Sequence, residues 1–89
     1  MKKIIMVTTV SKNVIVFSTP TCTYCNLLKN YLREKKVRFK DVDVSRDQIA
    51  MNDMIKRTGG NKGVPVTLIN NRPIIGFDKP KINQLLGIN

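Results

Sequence analysis

Two cysteines separated by two residues are the side chains of this protein best suited to chemistry. Cys22 and Cys25 follow a short apolar run that predicts a buried strand, and helical character begins just after Cys22. Two intervening residues across the start of a helix let the sulfurs meet without large backbone motion. The positive end of the helix stabilises a thiolate at Cys22, while Cys25 lies one turn further in and is shielded. The spacing therefore predicts thiol–disulfide exchange, in which Cys22 attacks and Cys25 resolves the mixed disulfide.

Other interpretations of the cysteine pair stay open at this point. The pair could be inert and buried, or it could supply half of a four-cysteine metal site shared by two chains. The chain has two cysteines and no histidine, and a closed zinc site needs four such ligands, so one chain cannot build it alone. A disulfide scaffold normally shows four or more cysteines. We therefore expect a redox role and no resident metal.

The strong positive charge of the chain bears on its partners. Lysine and arginine total 16 against 6 acidic residues, a formal net charge of +10. Such a charge suits nucleic acid, an acidic membrane or an acidic protein. The basic residues are scattered and the aromatic residues form no stacking platform, so we interpret the charge as a solvated surface and expect no nucleic-acid binding. No apolar run approaches the roughly 20 residues of a membrane span, and we expect a cytoplasmic monomer without membrane association.

Four short strands are predicted from apolar runs bounded by turn-forming residues. The first two are joined through a helix and should lie parallel, whereas the last two should form a hairpin around Asn70 and Asn71, with Pro73 on an edge strand. One mixed four-stranded sheet with helices on its faces, in the order β-α-β-α-β-β-α, satisfies these constraints. The predicted strands cover residues 14–17, 37–44, 64–69 and 72–75.

Three helices are predicted from apolar residues repeated every three or four positions. The first begins after Cys22 and ends near Lys36, the second starts at an N-cap formed by Ser45, and the third starts at Asp78 and is ended by Gly87. Residues 1–11 are β-prone and form an N-terminal extension, an extra strand or a disordered tail, before a domain of residues 12–89. The apolar helix positions expected to face the sheet are Tyr24, Leu28, Tyr31, Leu32, Ile49, Met51, Met54, Ile55, Ile82, Leu85 and Leu86.

Two further motifs stand at the ends of predicted elements. Val64-Pro65 opens the third strand, and a cis proline there would leave the Val64 backbone free to pair with an extended peptide, although a trans proline at a strand start is common. Gly76-Phe77-Asp78 precedes the last helix. The amides of that helix end suit a carboxylate and the Asp78 carboxylate suits an amine, although a plain N-cap explains Asp78 equally well.

Taken together, these motifs resemble those of the glutaredoxins, from about Asn13 to the end of the chain. Cys22-Thr23-Tyr24-Cys25 resembles the family's Cys-Pro-Tyr-Cys, Val64-Pro65 its Thr-Val-Pro element, and Gly76-Phe77-Asp78 its glycine-rich turn ending in an acid. The resemblance implies an α/β, thioredoxin-like three-layer fold, a cis peptide before Pro65, and glutathione as the reducing co-substrate, carried on Cys22 as a mixed disulfide. Besides the catalytic cysteines, the implied glutathione-binding residues are Thr21, Tyr24, Val64, Pro65, Gly76, Phe77 and Asp78.

The resemblance leaves the electron donor open. A glutathione-dependent reductase would act on glutathionylated or disulfide-bonded proteins, with the Val64 backbone and Asp78 holding the two ends of glutathione. The family's common lysine before the first cysteine is absent from residues 18–21, and Lys79 stands where a second acid is usual. Such changes also occur in redoxins that are recharged by thioredoxin reductase and that reduce ribonucleotide reductase, and an acidic reductase or client would then dock on the basic surface. An iron–sulfur cluster bridged between two chains is a third interpretation.

Overall fold

The computed structural model describes residues 13–88, which form a four-stranded sheet and three helices. The predicted N-terminal extension of residues 1–11 lies outside this described part. None of the helices within residues 13–88 is long and apolar enough to cross a membrane. The elements follow the predicted order, with bounds β1 Val14–Ser18, α1 Thr23–Glu34, β2 Lys40–Asp43, α2 Gln48–Arg57, β3 Val66–Ile69, β4 Arg72–Ile75 and α3 Lys79–Leu86.

The strands lie in the order β2-β1-β3-β4, so that β1 is an inner strand. β1 and β2 are parallel, with Val16 opposite Asp41, as expected for two strands joined through a helix. β1 pairs with β3, and β3 with β4, in antiparallel fashion. The prediction of one mixed four-stranded sheet is confirmed, and the carboxyl end of the inner strand β1 leads the chain directly to the start of α1.

Helices cover both faces of the sheet, because successive side chains of a strand point to opposite sides. Val14 and Val16 of β1 pack with α1 and α3, whereas Phe17 packs with α2 on the other face. The first core cluster consists of Val14, Val16, Leu28, Tyr31, Leu32, Ile69, Ile74, Ile82 and Leu86. The second consists of Phe17, Val44, Met54, Val66 and Leu68. The predicted three-layer arrangement is therefore confirmed, and α1 is held by a buried face that runs from Cys25 to Leu32.

The hairpin between β3 and β4 turns at Asn70 and Asn71, as predicted. Both residues have positive φ, 51° and 69°. A two-residue loop with two positive φ values matches the twist of the flanking strands, and asparagine tolerates this conformation better than most residues. Pro73 lies on β4, an edge strand of the sheet, where its missing amide hydrogen is tolerated.

Two predicted strands are longer than those in the structure. β2 covers only Lys40–Asp43 instead of 37–44, because the Val37 amide bonds back to the Leu32 carbonyl and still belongs to the end of α1. β3 begins at Val66 instead of 64, since Pro65 has no amide hydrogen to donate to a ladder. The loop before β3 is thereby free to contact the start of α1.

The predicted N-cap of α2 is wrong. Asp47 caps this helix, and its carboxylate accepts a hydrogen bond from the Ala50 amide at 3.0 Å. Ser45 instead donates its amide hydrogen to Asp43 Oδ1 at 2.9 Å, which makes a local turn after β2. Ile49, predicted to face the sheet, is 81% exposed. Ile49 therefore faces solvent, whereas Ala50 and Met51 of the same turn pack against the core, and Met54 is the buried residue of this helix.

Candidate functional site

Cys22 is the N-cap residue of α1, at the point where the chain leaves β1 and the helix begins. Its backbone is extended, with φ −89° and ψ 114°, and its sulfur accepts a hydrogen bond from the Cys25 amide at 3.2 Å. The first amides of a helix have no carbonyl partner within it, so an acceptor at the N-cap satisfies one of them and lies at the positive end of the helix dipole. The residue is half-buried. This position suits a sulfur that must carry negative charge and be reached by the sulfur of another molecule.

Cys25, in the first turn of α1, is completely buried. Burial raises the pKa of the Cys25 thiol to about 11, and its hydrogen bond with Cys22 adds to the increase. Both cysteines are free thiols. The predicted difference in accessibility between the two sulfurs is confirmed. At neutral pH Cys25 holds its proton, which it has to lose before its sulfur can attack another.

The loop before β3 contacts the cysteine pair. The Val64–Pro65 peptide bond is cis, as the resemblance implied. The Cys22 thiol lies 3.9 Å from the Val64 carbonyl oxygen, and the Gly76 amide donates a hydrogen bond to the Pro65 carbonyl at 2.9 Å. Through these two contacts the fold brings Val64-Pro65 and Gly76, which are distant from the cysteines in sequence, to the end of α1 that carries Cys22.

A groove of about 530 Å³ runs along the start of α3, lined by Ile75, Phe77, Asp78, Lys79 and Pro80. Gly76, between the lining residues Ile75 and Phe77, has φ 81°, a conformation that glycine adopts without the strain a side chain would bring. The prediction that Asp78 caps α3 is confirmed, because Asp78 Oδ1 accepts a hydrogen bond from the Lys81 amide at 3.2 Å. A carboxylate has a second oxygen, so capping leaves Asp78 able to accept from a bound amine.

Thr21 and Tyr24, the remaining residues of the implied binding set, flank Cys22 along the chain. Both are exposed, and 64% of Tyr24 is accessible to solvent. The prediction that Tyr24 belongs to the buried face of α1 is wrong, because that face begins at Cys25 and continues at Leu28 and Leu32. The tyrosine ring is instead available to a molecule that docks at the end of the helix.

A polar cluster near the cysteine pair was missed by sequence reasoning. Lys29 Nζ lies 2.8 Å from Asp41 Oδ2, and the Ser18 hydroxyl donates to Asp41 Oδ1 at 2.8 Å. Burial alone would raise the pKa of Asp41, but the hydrogen bonds from Lys29 and Ser18 outweigh it and hold the pKa below its usual range. One signal was available: Lys29 stands four residues after Cys25, on the same helix face. A lysine within a basic segment is, however, usually solvent-exposed.

Comparison with known proteins agrees with this fold and this pair of cysteines. Residues 14–74 match the family model described as Glutaredoxin. An uncharacterized glutaredoxin-like 8.6 kDa protein in the rubredoxin operon of Clostridium pasteurianum is 38% identical over 71 residues, which cover 80% of this chain and 93% of that protein. Glutaredoxin 3 of Escherichia coli strain K12 is 33% identical over 66 residues, covering 74% and 78% of the two chains. A solved structure, a mutant of the thioredoxin-like protein BC3987, superposes with a TM-score of 0.81 at 27% identity, covering 86% of this chain and 97% of that one. On sequence, fold and cysteine spacing alike, this chain belongs to the glutaredoxin family and is a thiol–disulfide oxidoreductase.

Proposed function

We propose that the chain is a glutathione-dependent disulfide reductase and deglutathionylase, with Cys22 as the nucleophile and Cys25 as the resolving thiol. One observation carries the proposal: a half-buried cysteine and a completely buried one share the same helix end. A substrate disulfide can reach the sulfur of Cys22, whereas the sulfur of Cys25 is placed to displace whatever becomes attached to Cys22. The groove at the start of α3 supplies a place for glutathione.

The chemistry proceeds by two linked exchanges. The Cys22 thiolate attacks one sulfur of the substrate disulfide, and the other sulfur leaves as a thiolate that takes a proton from water. In the dithiol route Cys25 then loses its proton and attacks the Cys22 sulfur, so that a Cys22–Cys25 disulfide forms as the bond to the substrate breaks. Two electrons have then passed from the cysteine pair to the substrate. In the monothiol route a glutathione thiolate attacks a glutathionyl group on Cys22, giving glutathione disulfide and a free Cys22 thiolate.

The groove residues support glutathione as the occupant. Glutathione is an extended tripeptide with two carboxylates and one ammonium group at neutral pH. We assign the Val64 backbone to the part of the tripeptide nearest its sulfur, since Val64 lies within 3.9 Å of the Cys22 thiol. The Asp78 carboxylate suits the ammonium group, and the N-terminal amides of α3 suit a carboxylate. Lys79, at the same helix end, adds a positive charge to this side of the groove.

Replacing Asp78 by asparagine tests this assignment. An asparagine at this position would still cap α3, so the fold should persist while the charge is lost. Turnover is followed by NADPH consumption in the presence of glutathione and glutathione reductase, and we expect Asp78→Asn to raise the KM for a glutathionylated substrate severalfold. The matched control is Asp53→Asn, which removes an acid from α2 that is paired with Arg57 and lies outside the groove. Equal KM values for the two variants would remove Asp78 from the binding site.

A second candidate function is an electron carrier recharged by thioredoxin reductase. Two observations favour it: the segment from Ser18 to Thr21 carries no lysine, and Lys29 is engaged by Asp41. The exposed apolar side chains of Tyr24, Leu27 and Ile75 also suit contact with a protein. Such a carrier would use the same cysteine pair, but its electrons would come through protein docking instead of a bound tripeptide.

Parallel recycling systems distinguish the two candidates. NADPH consumption is measured with a glutathionylated substrate, once with glutathione and glutathione reductase and once with thioredoxin reductase. Turnover with glutathione alone supports the proposal, and turnover with thioredoxin reductase alone supports the carrier. We expect Cys22→Ser to abolish both activities. Cys25→Ser should spare deglutathionylation, which needs one thiol, and abolish reduction of protein disulfides.

A further inference from the structure

Lys29, Asp41 and Ser18 join α1 to the carboxyl half of the β1–β2 pair. Besides its 2.8 Å contact with Asp41, Lys29 Nζ lies 3.4 Å from the Ser18 hydroxyl. The Lys29 side chain is only 12% exposed, whereas Asp41 is 43% exposed and Ser18 is buried. Lysine is rarely held so far from water, and ion pairs with one solvated partner contribute little to stability. The position of Lys29 therefore calls for another explanation.

The cluster lies next to the thiol of Cys25. Lys29 follows Cys25 by four residues on α1, so the two side chains are neighbours on one helix face. Ser18 directly precedes Thr19, whose backbone lowers the pKa of the Cys25 thiol. Burial raises the pKa of Cys25 to about 11, whereas the charge of Lys29 acts in the opposite direction.

We propose that Lys29 is a positioning residue for the resolving step, in which its ammonium group, fixed by Asp41 and Ser18, stabilises the thiolate of Cys25 as this sulfur attacks Cys22. This inference rests on the proposed roles of the two cysteines. Cys25 gives its proton to solvent, the new Cys22–Cys25 bond forms, and the departing thiolate takes a proton from water. Lys29 keeps its own proton throughout and acts by its charge.

Few other charged groups near Cys25 could stabilise its thiolate. β1 and β3, the inner strands, carry no titratable side chain. Cys22, at the N-cap of α1, raises the pKa of Cys25, so it opposes ionisation while it is itself a thiolate. Asp41 on β2 partly neutralises Lys29, and Arg33 on α1 in turn acts on Asp41. Lys29 is the group whose charge favours the Cys25 thiolate from within the same helix.

The proposal predicts opposite effects for the two members of the ion pair. Lys29→Met removes the favourable charge and should raise the pKa of Cys25. Asp41→Asn removes the charge that offsets Lys29 and should lower it. If the pair merely fastened α1 to β2, both variants would loosen the same contact and would shift the pKa of Cys25 in the same direction. The directions of the two shifts in the pKa of Cys25 therefore distinguish the two explanations.

The first experiment titrates Cys25 without any substrate. Thiolate absorbance is followed against pH in a Cys22→Ser protein, alone and combined with Lys29→Met, Lys29→Arg or Asp41→Asn. We expect an upward shift with methionine, a downward shift with asparagine, and a midpoint close to that of the parent with arginine, which keeps the charge. A midpoint unchanged by Lys29→Met, or shifts of equal sign in Lys29→Met and Asp41→Asn, would overturn the proposal. The absence of substrate makes this result independent of whether glutathione is the reductant.

The second experiment measures the resolving step in turnover, with Cys22 intact. A rise of one pKa unit reduces the thiolate about tenfold, while the more basic thiolate reacts about threefold faster, so resolution should slow about threefold at neutral pH. We expect Lys29→Met to lower the ratio of protein-disulfide reduction to deglutathionylation by about this factor, and the difference to fade only as the pH rises above the pKa of Cys25. An unchanged ratio in Lys29→Met would overturn the proposed role of Lys29. If the parent protein itself shows no turnover with glutathione, the proposed function is overturned instead.

Discussion

Raising the pH above 9 should destabilise the reduced protein through Cys25. This thiol is completely buried, and its pKa is raised from 9.0 to about 11 by burial and by its hydrogen bond with Cys22. In the unfolded chain the thiol ionises near its ordinary pKa, while the folded chain holds the proton. The unfolded state therefore binds fewer protons in this range and becomes more stable relative to the folded state, so the free energy of unfolding falls. The contribution of Cys25 to stability is complete below pH 9 and is lost as the pH rises through 11.

The size of this effect follows from the pKa difference. The rise from 9.0 to about 11 spans about two units. Each unit corresponds to about 1.4 kcal/mol, so the free energy of unfolding should fall by about 2 kcal/mol by pH 11, where half of the folded thiol still holds its proton, and by about 3 kcal/mol at higher pH. For a small domain with a total stability of about 5–10 kcal/mol, this is a large share. Because the side chain is fully enclosed, solvent does not screen the effect.

Urea unfolding under reducing conditions at pH 8, 9, 10 and 11 measures this loss. The control is Cys25→Ala, in which lysines and tyrosines titrate as in the parent while the buried thiol is gone. We expect the parent to lose about 2 kcal/mol more than the control between pH 8 and 11. Stabilities that decline in parallel for the two proteins would show that Cys25 ionises in the folded state as easily as in the unfolded chain, and the reasoning from burial would be wrong.

Three further predictions concern stability. Asp47→Ala should lower the free energy of unfolding by about 1 kcal/mol, because it removes the cap of α2. The control Ser45→Ala should lower it less. Equal losses in urea unfolding would contradict the assignment of Asp47 as the cap. Leu28→Ala should cost about 2–5 kcal/mol, because Leu28 is fully buried between α1 and the sheet; a loss below 1 kcal/mol would mean that the site collapses around the smaller side chain. The lowered pKa of Asp41 stabilises the fold above about pH 4, and this stabilisation is lost as the pH falls. Asp41→Asn should therefore make the free energy of unfolding depend less on pH below about pH 4. An unchanged dependence would contradict this.

Features that depend on neighbouring residues were predictable from the sequence. The apolar run of β1 and the cysteine spacing after it located the start of α1. Asn70 and Asn71 located the hairpin, and Asp78 and Gly87 the two ends of α3, since each residue favours its backbone conformation by local interactions. The parallel pairing of β1 with β2 and the hairpin of β3 with β4 then followed from the rules that connect parallel and antiparallel strands.

Features that depend on distant partners were not predictable in the same way. One local choice was also missed: Ser45 and Asp47 are both good capping residues, and Asp43, two residues before Ser45, draws Ser45 into a turn. The exposure of Tyr24 and Ile49 depends on how each helix is rotated on the sheet, and an apolar residue in the first turn does not reveal this. The cluster around Lys29 similarly requires the parallel register that brings β2 alongside β1.

In the proposed mechanism, the shared helix end also orders the two chemical steps. While Cys22 is a free thiolate, its charge and its hydrogen bond both raise the pKa of Cys25, so the buried thiol keeps its proton. Once Cys22 is bound in a mixed disulfide, its sulfur is neutral and the electrostatic opposition ends. The pKa of Cys25 must then fall, and the remaining charge of Lys29 favours the thiolate without a competitor from Cys22. The formation of the mixed disulfide thus prepares its own resolution, because it removes the Cys22 charge that raises the pKa of Cys25.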